Sequence, residues 1–560
     1  MTPDLGRDLA PRFDLVEVPY TVRRSRLLVR RGPAGLTVYR AAYERGLRDS
    51  VVAGDLRLLD DAGAEVPVRR ASPLKIGFDG GASLVVTPDD GVHLGGIPAG
   101  WRLVADLTLP PAEVALTPDR LVLPDDAVVR VDGTLTEILL PAGGEIGIAC
   151  AGPLEASFAE ARDLVAAELA AWMGRCPDVS PRWREATRLC WWVLGVNTLV
   201  LDAPEGLNRA VVPSKIGYVG LWQWDAYFIA IGLRHGDPEL AAEQLRIALA
   251  YPTAEGQLPD VVHEEGVLAS SDDLPRGDLE NLRRLGSPSL AHATVPLTKP
   301  PLTALAVGRL AEVCGPSVIE ESLPTMLVAQ HWWYRKSAPG GHPAYLHPYS
   351  SGLDDSPIFD HDAIVVSPDL TAYLILSDEL LAGWLEQAGR AEEASECRER
   401  AAASLSQLLG TWDAERGFFP TLGEHGSPLA SETVVSLMPL LASDLPPEQR
   451  DALVRAISDP ERFGTPHRLP TVAASDADYS TERMWRGPVW VNTTWLVIQG
   501  LRRHGLDELA DRLSEGILEL VEQSGPAEYF RPDTGERART ATVCFGWSAA
   551  LTIDLAVALS

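Results

Sequence analysis

A mainly α fold, an (α/α)6 toroid preceded by an N-terminal β-sandwich, is predicted by three features of the 560-residue sequence. About twelve stretches after Pro181 repeat their apolar residues with a helical period. The connections between them alternate short and long. One helix-stop, helix-start segment occurs twice, in Gly232-Leu233-Arg234-His235-Gly236-Asp237-Pro238-Glu239-Leu240-Ala241 and in Gly500-Leu501-Arg502-Arg503-His504-Gly505-Leu506-Asp507-Glu508-Leu509-Ala510, which suggests a repeated hairpin.

Taken in order, Tyr20 to Cys150 alternates in the manner of strands, as in Ser25-Arg26-Leu27-Leu28-Val29 and in Arg130 to Leu140. Turn signals such as Asp79-Gly80-Gly81 and Asp89-Asp90-Gly91 cut this region into short strands, the pattern of a sandwich. Near Pro153 the period becomes helical, and Ala156–Met173 reads as a connecting helix. The helical stretches that follow are Pro181–Leu201, Trp224–His235, Pro238–Ala250, Pro301–Cys314, Ser317–Arg335, Asp369–Gln387, Glu392–Leu409, Ser431–Leu441, Pro447–Ile457, Trp490–Arg503, Asp507–Glu522 and Gly546–Leu559. Short links such as His235-Gly236-Asp237-Pro238, Cys314-Gly315-Pro316 and Ala388-Gly389-Arg390 join them as hairpins, because a glycine stop runs straight into a capping start. A chain this long exceeds one ordinary core, and the expected division is 1–152 for the sandwich, 153–180 for a helical linker and 181–560 for the barrel.

Bulk composition narrows the function. Apolar residues at 46% and charged ones at 23% describe a soluble globular protein. A net charge of -29 repels nucleic acid and anionic membranes, so neither is expected as a partner. Met1 to Arg24 has no apolar core of the kind a secretory signal needs, and no stretch reaches the ~18 apolar residues of a membrane span. The six cysteines are scattered without a Cys-x-x-Cys, which favours reduced thiols and a cytoplasmic location.

The long connections carry the chemistry. They hold Trp222-Gln223-Trp224-Asp225, Lys299-Pro300-Pro301, Ser351-Gly352-Leu353-Asp354-Asp355-Ser356-Pro357, Trp485-Arg486-Gly487-Pro488-Val489-Trp490 and Glu528-Tyr529-Phe530, each just ahead of a helical stretch. Antiparallel hairpins closed into a ring would put all of these on one rim, gathering two carboxylates and several indoles in one pocket. Cleaving a glycosidic bond needs such a pocket. Asp354 is the candidate acid and Glu528 the candidate base. Trp222, Trp224, Trp485 and Trp490 offer flat walls for the C–H faces of a sugar, while Asp225 and Arg486 suit its hydroxyls. Gln257 and Asn492 are further candidate polar contacts, with Tyr529 beside the base. Lys299, one of four lysines, would hold a substrate carboxylate or lower the pKa of a neighbouring acid. The acidic run Asp354, Asp355, Asp360, His361 and Asp362 could ligate a hard cation but lacks the alternate spacing of a calcium loop, so no catalytic metal or other cofactor is expected and a structural calcium is left open.

Taken together and in order from Pro213 to Leu559, these segments resemble glycoside hydrolase family 63, and most closely its mannosylglycerate, glucosylglycerate and processing α-glucosidase types. The likeness rests on Trp224-Asp225, Pro300-Pro301, Ser351 to Pro357, Arg486-Gly487-Pro488-Val489-Trp490 with Asn492, Glu528-Tyr529-Phe530, Pro532 to Glu536 and Phe545-Gly546-Trp547. It implies an inverting α-glycosidase on an (α/α)6 barrel, with Asp354 at the general-acid position and Glu528 at the general-base position. It also implies that Trp224, Asp225, Trp485, Arg486 and Asn492 surround the sugar that is cleaved. Tyr349-Ser350, Met484 and Lys299 differ from the family pattern and leave the sugar and the linkage open. The expected partner is a small carbohydrate or glycoside, with the oligomeric state left open. The rival readings are an epimerase or polysaccharide lyase on the same toroid, and a sugar-binding protein without catalysis.

Overall fold

The computed structural model describes residues 13–43, 47–107, 121–150, 153–201, 206, 209–264, 266–267, 280, 283–284 and 297–560. The extreme amino terminus and most of the Tyr251–Pro300 connection lie outside this set. Two compact units emerge. One comprises Met1–Cys176, Trp191–Val200 and Val211–Val219, and the other Pro177–Cys190, Leu201–Ala210 and Gly220–Ser560.

Among the described residues before Cys176, the first unit carries the short strands β1 (Leu27–Arg31), β2 (Leu36–Arg40), β3 (Val51–Leu59), β4 (Val68–Ala71), β5 (Ile76–Phe78), β6 (Ser83–Val86), β7 (Gly91–Ile97), β8 (Arg102–Asp106), β9 (Leu121–Val122), β10 (Val128–Asp132), β11 (Leu135–Leu139) and β12 (Gly144–Ala149). They form two six-stranded sheets, ordered β1-β2-β3-β8-β11-β10 and β4-β5-β6-β7-β12-β9. The run Arg130 to Leu140, which alternates like one strand, is a hairpin of β10 and β11. Gly133 turns it, with φ of 62°, a conformation that costs glycine little. Helix α1 (Phe158–Met173) starts at a capping box, in which the Ser157 side chain accepts the Glu160 N–H and Glu160 accepts the Ser157 N–H. It packs on β6, β7 and β12.

Helix α2 (Arg184–Val196) is shared between the units. It is shorter than the expected Pro181–Leu201, because the chain leaves the helix as strand β13 (Thr198–Val200), followed by β14 (Arg209–Val211). The second unit continues with α3 (Gln223–Leu233), α4 (Pro238–Ala248), α5 (Thr303–Cys314), α6 (Ser317–Arg335), α7 (Pro348–Ser351), α8 (Pro368–Gln387), α9 (Ala391–Gly410), α10 (Pro447–Ser458), α11 (Val491–Arg503), α12 (Asp507–Ser524) and α13 (Gly546–Ala558). Short links make hairpins for the reasons the residues suggest. Asp237 caps α4, accepting the Leu240 N–H at 3.1 Å with Pro238 behind it. Gly389, between α8 and α9, has φ of 74°, as a helix stop requires. The stretch Val434–Leu441 is a 3-10 helix, not an α-helix. Pro439 inside it lacks the N–H that an α-helical ladder needs.

Helix α3 packs on α13, α4 and α5. Helix α8 packs on α5, α9 and Val434–Leu441, and α11 packs on Val434–Leu441, α12 and α13. All residues of α3 are buried, the mark of a helix covered on every side. Among the described residues no helix is long and apolar enough to cross a membrane.

Candidate active site

Trp224 and Asp225 fall in the first turn of α3, where the chain leaves strand β15 (Leu221–Trp222). That strand pairs with β16 (Val261–His263), and the Gln223 N–H donates to Asp260 O at 2.7 Å. The Gln223 side chain in turn accepts the Lys299 N–H at 3.1 Å. Lys299 is buried, donates from Nζ to Tyr349 O at 2.7 Å, and lies 4.0 Å from Asp260 Oδ2. Burial pushes the Asp225 carboxyl well above the usual carboxylate range. The Lys299 charge opposes that rise, while the charges of Glu528 and Asp354 add to it. Three carboxyls and one ammonium therefore share a single electrostatic neighbourhood, although they come from four separate segments of the chain.

Asp354 arrives on a loop with little freedom. Helix α7 ends at Gly352, whose φ is 72°. A Cβ there would fall 2.2 Å from the Trp224 indole, so only glycine admits that ring. Ser351 Oγ accepts the Leu353 N–H at 3.0 Å and donates to Pro348 O at 2.6 Å. One residue beyond Asp354, the Asp355 carboxylate accepts the Trp485 N–H at 2.9 Å and Arg483 Nε at 3.2 Å. Arg486 completes the clamp: its Nε donates to Asp355 O at 2.8 Å, and its fork grips Asp360, with one Nη 2.9 Å from Oδ2. Asp355 and Asp360 of the acidic run are thus taken up by arginines, and the Arg486 guanidinium is engaged by the acid loop itself.

Glu528 sits in an extended segment bonded on two sides. Its N–H donates to Thr542 O at 2.9 Å, and its Oε2 accepts the Thr542 N–H at 3.0 Å. Two residues on, Phe530 exchanges both backbone bonds with Val489, at 2.8 and 2.9 Å. The base loop is thereby joined to the Trp485–Trp490 loop, and Glu528 is only 3% exposed.

Four indoles assemble beside these carboxyls. Trp485 and Trp490 stack at 3.5 Å, and Trp490 stacks on Tyr529 at 4.7 Å. Trp547 meets Trp224 edge-on at 5.2 Å and Trp490 at 5.6 Å, while Trp224 lies 6.1 Å from Trp485. Trp490 Nε1 donates to Met484 O at 2.8 Å. By contrast, Trp485 Nε1, Trp547 Nε1, Ser356 Oγ and both side-chain polar atoms of Asn492 are buried with no hydrogen-bond partner among the described residues. Native proteins bury few such atoms. Hydroxyl-rich ligands and water satisfy this mix of donors and acceptors.

Of the residues singled out in the sequence, Trp224, Asp225, Lys299, Asp354, Trp485, Trp490, Glu528 and Tyr529 belong to this linked group. Asn492 follows in the first turn of α11. Trp222 is half-buried at the end of β15. Gln257 is buried in a turn in which its N–H donates to Thr253 Oγ1 at 3.0 Å. Sequence reasoning passed over Trp547 as a wall, Asp355 as the clamp and Thr542 as the partner of Glu528. Trp547 had a signal, since it is the second residue of its helix after a long loop, as Trp224 is of α3. Thr542 had none, because a backbone donor leaves no mark on residue type.

Known proteins resemble this chain. A family model described as a mannosylglycerate hydrolase MGH1-like glycoside hydrolase domain matches residues 218–548. The mannosylglycerate hydrolase of Thermus thermophilus is 29% identical over 407 residues, covering 61% of this chain and 95% of that protein. The glucosylglycerate hydrolase of Mycolicibacterium hassiacum is 25% identical over 431 residues, covering 62% and 94%. A solved GH63 mannosylglycerate hydrolase structure from Thermus thermophilus, in complex with Tris and D-glycerate, matches with a TM-score of 0.54 at 26% identity, over 65% of this chain and 98% of that one. A bacterial glucoamylase structure complexed with acarbose shares the fold alone, at 11% identity and a TM-score of 0.57, over 97% of this chain and 95% of that one. With the family model spanning more than half of its length, the chain belongs to the MGH1-like glycoside hydrolases of family 63 and hydrolyses an α-linked sugar.

Proposed function

We infer that this protein removes a terminal α-linked sugar from a small glycoside with inversion at the anomeric carbon, using Asp354 as general acid and Glu528 as general base. The observation that carries the reading is Asp225, whose carboxyl feels Lys299, Glu528 and Asp354 at once beneath the Trp224, Trp485, Trp490 and Trp547 indoles. In an inverting enzyme the acid protonates the leaving oxygen while the base directs a water at the opposite face of the ring. The two carboxyls then stand ~6.5–9.5 Å apart to admit that water. Glu528, fixed by its two bonds to Thr542, suits the base, because a base that cannot swing keeps its water aligned. Asp354 suits the acid, since the Glu528 and Asp225 carboxyls share its electrostatic neighbourhood and like charges disfavour ionising all three at once.

The orphaned Trp485, Trp547 and Asn492 groups would meet sugar hydroxyls, and Asp225 would accept a hydroxyl proton. Lys299 directs its charge to Tyr349 O and Asp225, which favours tuning of a neighbouring acid over the capture of a substrate carboxylate. Arg486 acts as a positioning residue for the acid loop. The packing sequence α13, α3, α5, α8, Val434–Leu441, α11 and back to α13 supports the (α/α)6 toroid, and the two antiparallel sheets support a β-sandwich. The divisions 1–152, 153–180 and 181–560 are retained with that architecture. A cytoplasmic setting belongs to the same reading, supported by six free thiols.

Proton NMR of α-disaccharides and α-glycosyl-glycerates incubated with the protein tests the proposal. The β-anomer of the released sugar should appear first. Release of the α-anomer would overturn inversion. An unsaturated product would mean a lyase, and an interconverted monosaccharide an epimerase.

A further inference from the structure

His347 stands immediately before helix α7 and caps it, its Nδ1 accepting the Tyr349 N–H at 2.9 Å. A ring nitrogen that accepts carries no proton, so in the neutral imidazole the hydrogen is on Nε2. The ring stays neutral at working pH, because burial, aided by the Lys299 charge, holds its pKa down at about 3. The residue is 2% exposed, and Nε2 has no hydrogen-bond partner among the described residues. An unsatisfied buried N–H costs ~1–3 kcal/mol. Native proteins bury few such groups, and a ligand atom or a water is what can complete one.

The surroundings indicate what that is. Lys299, bonded to Tyr349 O, acts through its charge on both His347 and Asp225. His347 also opens the segment that carries Asp354, seven residues further on. In the hydrolase reading Glu528 is the ionised base, which only accepts, and the Asp354 proton is committed to the leaving oxygen. A fixed N–H beside an ammonium adds a donor toward a lone pair on another ligand oxygen.

We propose that the Nε2–H of His347 donates to an oxygen of the bound glycoside, making His347 a substrate-contacting specificity residue of the Asp225–Asp354–Glu528 site. The proposal rests on the hydrolase reading above. A glycoside lacking that oxygen leaves the N–H unpaired and is discriminated against.

His347→Asn separates this role from capping, because Asn is a good N-cap yet places no donor where Nε2 lies. The variant should melt close to wild type and lose ~10–100-fold in kcat/KM on the best substrate, as expected for one hydrogen bond in a buried site. Among monodeoxy analogues of that substrate, one should be turned over at least tenfold more slowly than the parent by wild type, yet no more slowly than the parent by H347N. If H347N matches wild type on the parent and on every analogue, His347 is only a cap and the proposal fails. Should H347N lose its fold, wild type bearing a methyl on Nε2 of His347 retains the cap and deletes the N–H. Full activity of that protein overturns the proposal, and a comparable loss supports it. Wild type inert on every α-glycoside overturns the hydrolase reading and this inference together, whereas an active wild type with an unimpaired H347N overturns the inference alone.

Discussion

Helix α3 carries a buried aspartate environment at each end, and the two differ in sign. At its first turn, burial and two neighbouring carboxylates drive Asp225 upward against Lys299. At its other end, Arg234 Nη1 and His235 Nε2 donate to Asp554 of α13 at 2.7 and 2.8 Å, and Trp495 Nε1 adds a third bond at 2.8 Å. Those partners hold Asp554 down at about 2 although it is equally enclosed. At a rise of 1.5 Å per residue, α3 separates the two regions by roughly 16 Å. Burial alone therefore does not decide the state of a carboxyl. Where both oxygens are answered by donors, the aspartate ties together three helices. Where like charges and orphaned polar atoms gather, the protein keeps a region suited to polar ligands or water.

This contrast can be broken at several points. Asp354→Asn and Glu528→Gln should each lower kcat by ~10²–10⁴ while the melting temperature holds, the usual worth of a positioned acid or base. Losses under tenfold in both, followed by NMR of product formation, would remove their roles. At the other end, Asp554→Ala strands Arg234 and should cost ~3–5 kcal/mol in denaturant unfolding, the expectation for one partner lost from a buried pair. The molecules that remain folded should keep their kcat. The pH dependence has a definite sign. Because Asp554 is depressed below its ordinary 3.8, its stabilisation is complete above that value and is lost as pH falls through about 2. Acid unfolding of wild type and variant should therefore converge toward the bottom of that window.

Asp225→Asn sharpens the comparison further. A raised carboxyl binds its proton more tightly in the folded state, so its destabilising effect grows as pH rises above the unfolded value. The variant should melt higher than wild type at pH 7 while kcat/KM falls ~10–100-fold through a lost charged hydrogen bond. A lower melting temperature would end the claim that this region trades stability for function. Smallest is Arg246→Ala, which breaks an exposed pair with Glu321. It should move stability by no more than ~0.5 kcal/mol and leave turnover alone.

The hairpins were legible residue by residue, because helix stops and starts are local. Ser317–Arg335 and Asp507 onward begin where the Gly-Pro and Gly-Leu-Asp signals place them. One misreading was also local in cause: Pro439 converts a predicted α-helix to a 3-10 helix. For the site, residue type pointed to Asp354, Glu528 and the loop tryptophans. It did not indicate that Arg486 would serve Asp355 and Asp360, or that Lys299 would be satisfied by a backbone carbonyl.

The sequence by itself determined where most of the helices start and stop, which loops are long, and which acids and indoles those loops carry, since propensity, capping and periodicity act over a few residues. Only the tertiary structure decided that Asp225, Lys299, Asp354 and Glu528 share one electrostatic environment while Asp554 is answered by three donors. Protonation and hydrogen-bond satisfaction depend on groups that meet through space from distant parts of the chain, and residue spacing carries no record of those meetings.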